Sequence, residues 1–250
     1  LGSWAVTVRV RFDNASGYAI ELGPDLKLAV SVDGRSVELV PPYPISLDEA
    51  LVAQSILGPG LLLALALRGT FALHASAAAL DGRAVVFLGD SGAGKSALAA
   101  DLGRRDEAGW QRLADDVLPV AVGAHGELGA LPEYPQLKLP PEEQYVAGRQ
   151  RPERVRVAVL YLLESAADRT DESDAFRDAV AIEALAPRDA LVALIAHTIA
   201  SRLFAPDLAA RHFAFCAEVA AAVPVKRLVY PRRLDVFDAV ADALAADLRA

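Results

Sequence analysis

Residues 83–96 read Arg83-Ala84-Val85-Val86-Phe87-Leu88-Gly89-Asp90-Ser91-Gly92-Ala93-Gly94-Lys95-Ser96, an apolar run followed by a loop rich in glycine. The last eight residues match the P-loop pattern G-x-x-x-x-G-K-[ST] at every fixed position. The stretch predicts a strand over Arg83–Leu88 and a helix from Lys95 to about Arg104. In such a loop, glycines let backbone N–H groups converge on an anion, and the helix N-terminus adds partial positive charge. The sequence therefore predicts a site for a nucleoside triphosphate.

The predicted phosphate-binding residues are the whole loop with the first two residues of the helix: Gly89, Asp90, Ser91, Gly92, Ala93, Gly94, Lys95 and Ser96. Lys95 is expected to reach the β- and γ-phosphates, and the Ser96 hydroxyl to complete the shell of a Mg²⁺ ion. ATP and Mg²⁺ are thus the expected partners. The competing interpretation is a glycine-rich turn with an exposed lysine.

A pair of acidic residues follows in Leu113-Ala114-Asp115-Asp116-Val117-Leu118, within an apolar run from Leu113 to Val120 that predicts the next strand. Two charges in a buried strand are costly unless a cation or hydrogen bonds compensate them. We assign Asp115 as the general base toward an acceptor hydroxyl and Asp116 to the metal, an order that can also be reversed. Both carboxylates serve one site only if the strand ends or bulges there, and a solvated strand end is the alternative.

His74 lies in the apolar run Phe71–Leu80, a strand candidate, just before the strand pair that leads into the loop. Its imidazole can orient a carboxylate or a phosphate oxygen, although a structural histidine fits the pattern equally well. The other histidines lack metal-ligand spacing and receive no role: His125, His197 and His212. An additional cation is expected to complete the site, and the candidates are Arg149, Arg151, Arg202, Arg211, Arg232 and Lys138.

The rest of the chain predicts an α/β protein. Residues 4–40 alternate apolar and polar side chains between turn sequences, which indicates antiparallel strands. From Pro187 onward the sequence is rich in alanine and leucine with helical periodicity, interrupted by the strand-like Val223–Tyr230. We predict an N-terminal β-rich segment over residues 1–45 and a P-loop domain with a helical C-terminal part over residues 46–250.

Composition limits the partners and the compartment. A formal charge of −8 and a pI near 5.1 argue against binding nucleic acid or an anionic membrane. The apolar run Ala50–Leu67 is interrupted by Gly58-Pro59-Gly60, so a buried helix is favoured over a membrane span. No signal peptide is visible at the N-terminus, and Cys216 is the single cysteine, so we expect a cytoplasmic protein. Strand edges and alanine-rich helices are compatible with a homo-oligomer.

Taken together, Leu73-His74-Ala75-Ser76, the loop and Leu113-Ala114-Asp115-Asp116 resemble the catalytic domain of HPr kinase/phosphorylase. The resemblance is closer to the HPr-kinase-related proteins of bacterial peptide-tailoring clusters, including lasso-peptide kinases that phosphorylate a serine of the precursor. The segments Tyr134–Pro140 and Pro224–Leu228 look like late segments of those relatives.

The resemblance implies a fold related to phosphoenolpyruvate carboxykinase and an aspartate that acts as base toward a seryl hydroxyl. The residues that it carries over are His74, Lys95, Ser96, Asp115 and Asp116. The chain departs from HPr kinases at Ala97, where an acidic residue is usual, and no match to their basic signature segment is found. The region upstream of residue 46 is expected to be too short for their separate N-terminal domain. These departures argue against HPr as the substrate and against the phosphorylase reaction.

Three functional hypotheses follow. The leading one is an ATP-dependent kinase that phosphorylates a serine hydroxyl of a peptide or protein, most simply a ribosomal precursor peptide of the lasso type. The second is a kinase for a small hydroxyl compound such as a sugar or an amino acid. The third is a nucleotide-gated binding module that transfers nothing, although a base such as Asp115 is unnecessary in a pure switch.

Overall fold

A computed structural model describes residues 8–24, 26–42, 49–132, 134, 153–165, 180–231 and 233–250. The fold is mixed α/β, with an antiparallel sheet and a separate mixed sheet. The chain divides into two compact units, one made of Leu1–Ala72 with Ile199–Phe213 and the other of Leu73–Thr198 with Ala214–Ala250. The domain boundary predicted at residue 45 stays a prediction.

The first unit contains four antiparallel strands that neighbour one another in chain order: β1 (Val8–Asp13), β2 (Gly17–Leu22), β3 (Leu26–Val30) and β4 (Val37–Leu39). The turn between the first two strands is held by the Asp13 carboxylate, which accepts hydrogen bonds from the backbone N–H groups of Ala15 and Ser16. Ile20 and Leu28 lie on the buried face of this sheet with no exposed surface. The antiparallel strands predicted from the alternation in residues 4–40 are confirmed where the structure describes them.

An interrupted helix follows in the same unit. Helix α1 (Glu49–Ser55) leads through a π-helical turn, Ile56–Gly60, into helix α2 (Leu61–Leu67), and Gly58 has a non-helical ψ of −107°. By length and composition the run Glu49–Leu67 can cross a membrane, and a third of it is buried in the protein. The interruption predicted from Gly58-Pro59-Gly60 is therefore present, while the absence of a membrane partner stays a prediction.

The second unit is built on a mixed sheet. Its strands are β6 (Ser76–Leu80), β7 (Arg83–Leu88), β8 (Trp110–Ala114), β9 (Leu118–Val122), β10 (Leu128–Ala130), β11 (Val155–Ser165), β12 (Ala181–Ala184) and β13 (Val225–Tyr230). The lateral order is β9-β10-β11-β7-β6-β8, and β13 pairs with both β11 and β12. A short strand, β5 (Phe71–Leu73), lies at the boundary between the two units.

Four further helices complete the described part of the chain: α3 (Lys95–Gly103), α4 (Pro187–Ala196), α5 (Pro206–Ala222) and α6 (Phe237–Arg249). Short 3-10 turns occur at Asp106–Ala108, Ser201–Leu203 and Leu234–Val236. Helix α3 follows β7, so the strand and the helix predicted on either side of the glycine-rich loop are confirmed.

Two predicted strands are wrong in their extent. The run Phe71–Leu80 forms two strands, separated at His74 and Ala75, and the run Leu113–Val120 also forms two, separated at Asp115–Val117. The physical reason is clearest at Asp116, whose φ of +72° lies in the left-handed region that an extended strand does not use. The acidic pair therefore lies at the end of a strand and not inside one.

The direction of the strands decides what meets at the sheet edge. Strand β6 is antiparallel to both β7 and β8, so β7 and β8 run in the same direction with β6 between them. On the side of β7 away from β6, strand β11 runs parallel to β7. The carboxyl ends of β7, β8 and β11 therefore lie at one edge, together with the start of β6.

Helices α3 and α6 pack on one face of this sheet. Leu98 and Leu102 of α3, Val240 and Leu244 of α6, and the sheet residue Phe87 have no exposed surface and belong to one apolar cluster. Because α3 begins where the loop ends, this cluster also fixes the position of the loop.

Replacing Leu244 with alanine is expected to lower the free energy of unfolding by about 2–5 kcal/mol, because it removes a fully buried side chain and leaves a cavity. The measurement is urea unfolding followed by circular dichroism. Asp242→Ala is the matched control, since it truncates an exposed side chain in the same helix and should change stability by no more than about 0.5 kcal/mol. Equal losses in the two variants would contradict the packing of α6 on the sheet.

Candidate functional site

The glycine-rich loop joins the buried end of β7 to the start of α3. Gly89, Gly92 and Gly94 have φ values of +146°, +83° and +98°, which are conformations that L side chains rarely adopt. The loop is tightened by a hydrogen bond from the Ala93 N–H to the Asp90 carbonyl. The residue types of the motif are therefore the ones that this backbone requires.

The room available for a side chain differs between Gly92 and Gly94. A methyl group at Gly94 would lie 2.9 Å from the Tyr230 hydroxyl oxygen, whereas one at Gly92 would meet no atom within 4 Å. Tyr230 is buried at the end of β13, and β11 separates β13 from β7 in the parallel part of the sheet. Tyr230 therefore supports the loop from two strands away. The space in front of Gly92 leaves one side of the loop accessible to a ligand.

Lys95 is the first residue of α3 and is buried, with 6% of its surface exposed. Its ammonium group donates hydrogen bonds to the carbonyl oxygens of Gly89 at 2.6 Å and Asp90 at 3.0 Å. The lysine side chain thus lies across the loop. Its positive charge adds to the partial positive charge at the N-terminus of this nine-residue helix. Ser96, the next residue, is exposed in the first turn of α3.

Asp115 follows the last residue of β8 and is buried, with 8% of its surface exposed. Its Oδ1 accepts a hydrogen bond of 2.7 Å from the Ser76 hydroxyl, and its Oδ2 lies 3.0 Å from the Arg112 guanidinium. Burial of this carboxylate is thereby compensated by a cation and a hydroxyl from two neighbouring strands.

Asp116 points to a different partner. The His74 Nδ1 atom lies 3.2 Å from the Asp116 carboxylate and 3.2 Å from the Asp116 backbone carbonyl. The left-handed backbone of Asp116, with a φ of +72°, ends the extended conformation of the chain at this point. The structure therefore brings His74, Asp115 and Asp116 to the edge where the loop also begins.

His197 is a residue of this region that the sequence did not indicate. It terminates α4, and its backbone carbonyl accepts a 2.7 Å hydrogen bond from the His74 N–H. Burial lowers the pKa of His197, the positive charge of Lys95 and the proximity of His74 lower it further, and the Asp90 carboxylate raises it. The imidazole therefore lies within electrostatic reach of the loop. No signal in the sequence joins positions so far apart in the chain.

The remaining candidate cations are not placed at the site. Arg149, Arg151, Arg232 and Lys138 lie outside the described residues, as does most of the segment Tyr134–Pro140. Arg202 and Arg211 belong to the first unit, where Arg211 donates a hydrogen bond to the Leu67 carbonyl. Among the described residues, no group of three or more His, Cys, Asp or Glu side chains forms a metal cluster.

No protein-family model matches the sequence, and no curated protein matches it. Among solved structures, the chain is similar to the Hpr(Ser) kinase/phosphatase from Coxiella burnetii. The two chains are 13% identical, and the match covers 71% of this chain and 90% of that chain with a TM-score of 0.39. The likeness is a distant one of fold, and it assigns no role to an individual residue.

Gly94→Ala should destabilise the protein more than Gly92→Ala. Each substitution forces a left-handed backbone on an L residue, at a cost of about 1–2 kcal/mol, but only the alanine at position 94 also collides with the Tyr230 hydroxyl. Urea unfolding of both variants measures the difference. Repeating it in a Tyr230→Phe background should remove part of the extra cost at Gly94 and none at Gly92. An equal effect of Tyr230→Phe on both would contradict the contact.

Acidification should lower stability because of two histidines, the buried His212 and the partly buried His197. Burial lowers the pKa of both His197 and His212, so in the unfolded chain they bind protons near pH 6.5 that the folded protein resists. The free energy of unfolding should therefore fall as the pH drops from about 7.5 to about 5.5. His197→Gln and His212→Gln should each reduce this fall, whereas replacement of the exposed His125 should leave it intact. A fall that is independent of all three residues would refute this explanation.

Proposed function

We propose that the protein is an ATP-dependent phosphotransferase that transfers the γ-phosphoryl group of ATP to a serine hydroxyl. The observation that carries the proposal is the shared sheet edge, where the parallel strands β7 and β8 end in a glycine-rich loop and in an acidic pair. One strand end supplies backbone N–H groups and a lysine suited to phosphates, and the other supplies carboxylates suited to a hydroxyl and a metal.

The donor side fits a nucleoside triphosphate. The backbone of the loop is accessible at Gly92, and Lys95 can exchange its two carbonyl contacts for phosphate oxygens, since its stem already lies across the loop. Ser96 and Asp116 are the proposed residues that hold Mg²⁺. A Mg²⁺ ion held there would supply positive charge to offset the negative charge of the phosphates.

The acceptor side needs a group that takes the hydroxyl proton. We propose Asp115 as this base: as the serine oxygen forms its bond to the γ-phosphorus, the O–H proton moves to the Asp115 carboxylate. The bond between the γ-phosphorus and the β,γ-bridging oxygen breaks, and ADP leaves. Lys95 and the N–H groups of the loop stabilise the transferring phosphoryl group, and His74 orients Asp116 beside it.

The resemblance supports a peptide acceptor, most simply a ribosomal precursor peptide of the lasso type with a C-terminal serine. The acidic pair is what favours transfer over a nucleotide-gated module, because a base has no use in a switch. A small hydroxyl compound fits the same chemistry, so acceptors of both sizes belong in one experiment.

The expected result is a phosphate-sized gain in the intact mass of a serine-terminated ribosomal peptide incubated with Mg-ATP and the protein. Lys95→Ala and Asp115→Asn should each reduce the rate by about 100-fold or more, because each removes a charge that acts on the reacting atoms. Lys27→Ala is the matched control, since Lys27 is an exposed lysine of β3 and its loss should leave the rate unchanged.

Each other outcome selects a different function. Mass gain on serine, a sugar or a free amino acid, without gain on peptides, would establish a small-molecule kinase. Tight binding of ATP without transfer to any acceptor would favour the binding module. Absence of ATP binding in the wild-type protein, measured by calorimetry, would refute the proposal at its first step.

A further inference from the structure

The pairing of β8 with β6 is irregular at the end of β8, next to the acidic pair. Opposite β6, Ala114 pairs with Ala77 and Arg112 pairs with Ala78, so Leu113 is an additional residue in β8 without a partner position. This is a β-bulge, a feature that re-aims the side chains that follow it. In a regular strand, residues three apart point to opposite faces of the sheet, so Arg112 and Asp115 would be separated by the sheet. The bulge brings them to the same face.

Three side chains converge because of the bulge. Asp115 lies next to Ser76 across the pair of strands, and the Ser76 hydroxyl is fully buried and donates to Oδ1 at 2.7 Å. The Arg112 guanidinium approaches Oδ2 at 3.0 Å, and the Arg112 side chain is 18% exposed. Each carboxylate oxygen thus has a partner on a different strand, which fixes both the plane and the rotation of the carboxylate.

The end of helix α3 packs closely against the backbone and Cβ atom of Arg112. A methyl group at Gly103, the last residue of that helix, would lie 2.7 Å from the Arg112 Cβ atom and 3.3 Å from its backbone nitrogen. The helix that begins at the phosphate loop therefore ends directly on the residue that contacts Asp115. The position of Asp115 and the position of the loop are coupled through one rigid element.

We infer that Ser76 and Arg112 are positioning residues that keep the Asp115 carboxylate aimed at the acceptor hydroxyl, an inference that rests on the proposed phosphotransferase function. Neither residue touches the reacting atoms. Arg112 contacts Oδ2 and Ser76 donates to Oδ1, so together they set the rotation of the carboxylate. In this proposal Ser76 and Arg112 make no contact with the nucleotide. Their loss therefore affects the positioning of the acceptor hydroxyl and not the binding of ATP.

The test separates kcat from the KM for ATP. Ser76→Ala and Arg112→Gln should each lower kcat for phosphoryl transfer by about 10- to 100-fold, the range of a misplaced catalytic group, and leave the KM for ATP within about twofold. Ser76→Thr should restore most of kcat, since it retains the hydroxyl, and Arg112→Lys should restore part of it. Gln111→Ala, a change at an exposed position of the same strand, is the control and should change neither kcat nor the KM for ATP.

A second measurement does not depend on activity. Urea unfolding of Ser76→Ala, Arg112→Gln and Asp115→Asn, singly and in pairs, gives the coupling between the side chains. The loss caused by Arg112→Gln should be smaller in the Asp115→Asn background, and the same should hold for Ser76→Ala. Independent losses would overturn the network itself.

The outcomes distinguish this inference from the proposed function. An active wild-type protein whose kcat is insensitive to Ser76→Ala and Arg112→Gln would overturn the inference and leave the kinase intact. A parallel rise in the KM for ATP, with kcat unchanged, would also overturn it, because the residues would then serve the nucleotide. A wild-type protein that binds ATP and transfers phosphate to no acceptor and not to water would refute the function, and the positioning role falls with it.

Discussion

The common direction of β7 and β8 is the constraint on which the candidate site depends. The two strands are separated by β6, which is antiparallel to both, and they are connected by α3. This arrangement puts two carboxyl ends at one sheet edge, and the start of β6 joins them there. Reversing either strand would send the glycine-rich loop and the acidic pair to opposite edges. The buried contacts of α3 with the sheet therefore stabilise the geometry of the site as much as they stabilise the fold.

Charges at this edge are arranged so that each buried one has a partner. Lys95 lies against two loop carbonyls, Asp115 against a hydroxyl and a guanidinium, and Asp116 against His74. Isolated charges in such a place would be too costly to keep. The partners lie in the loop, in β8, at the start of β6 and just before β6, so the arrangement requires the sheet and α3 to be folded around it. Lys95 lies at the loop and the two aspartates lie at the end of β8, which are the positions that a phosphate donor and a hydroxyl acceptor need.

Irregular backbone appears where the chemistry is expected. The left-handed φ of Asp116, the bulge at Leu113 and the break at His74 all interrupt strands that the apolar pattern alone would have continued. A regular strand would direct Asp115 and Asp116 to opposite faces and bury at least one of them among apolar side chains. The interruptions release these residues from the ladder of the sheet, and cross-strand contacts then determine their orientation.

The sequence by itself determined the elements whose signal is local. The strand Arg83–Leu88, the loop and the start of α3 followed from one motif, because the turn between them needs glycine at its left-handed positions. Other features required the tertiary structure. Apolar residues continue past His74 and Asp115, so periodicity could not show where those strands end, and strand order decided that Ser76 and Arg112 face Asp115. His197 comes within electrostatic reach of the loop because α4 ends beside His74. This contact joins distant parts of the chain, and no local pattern encodes it.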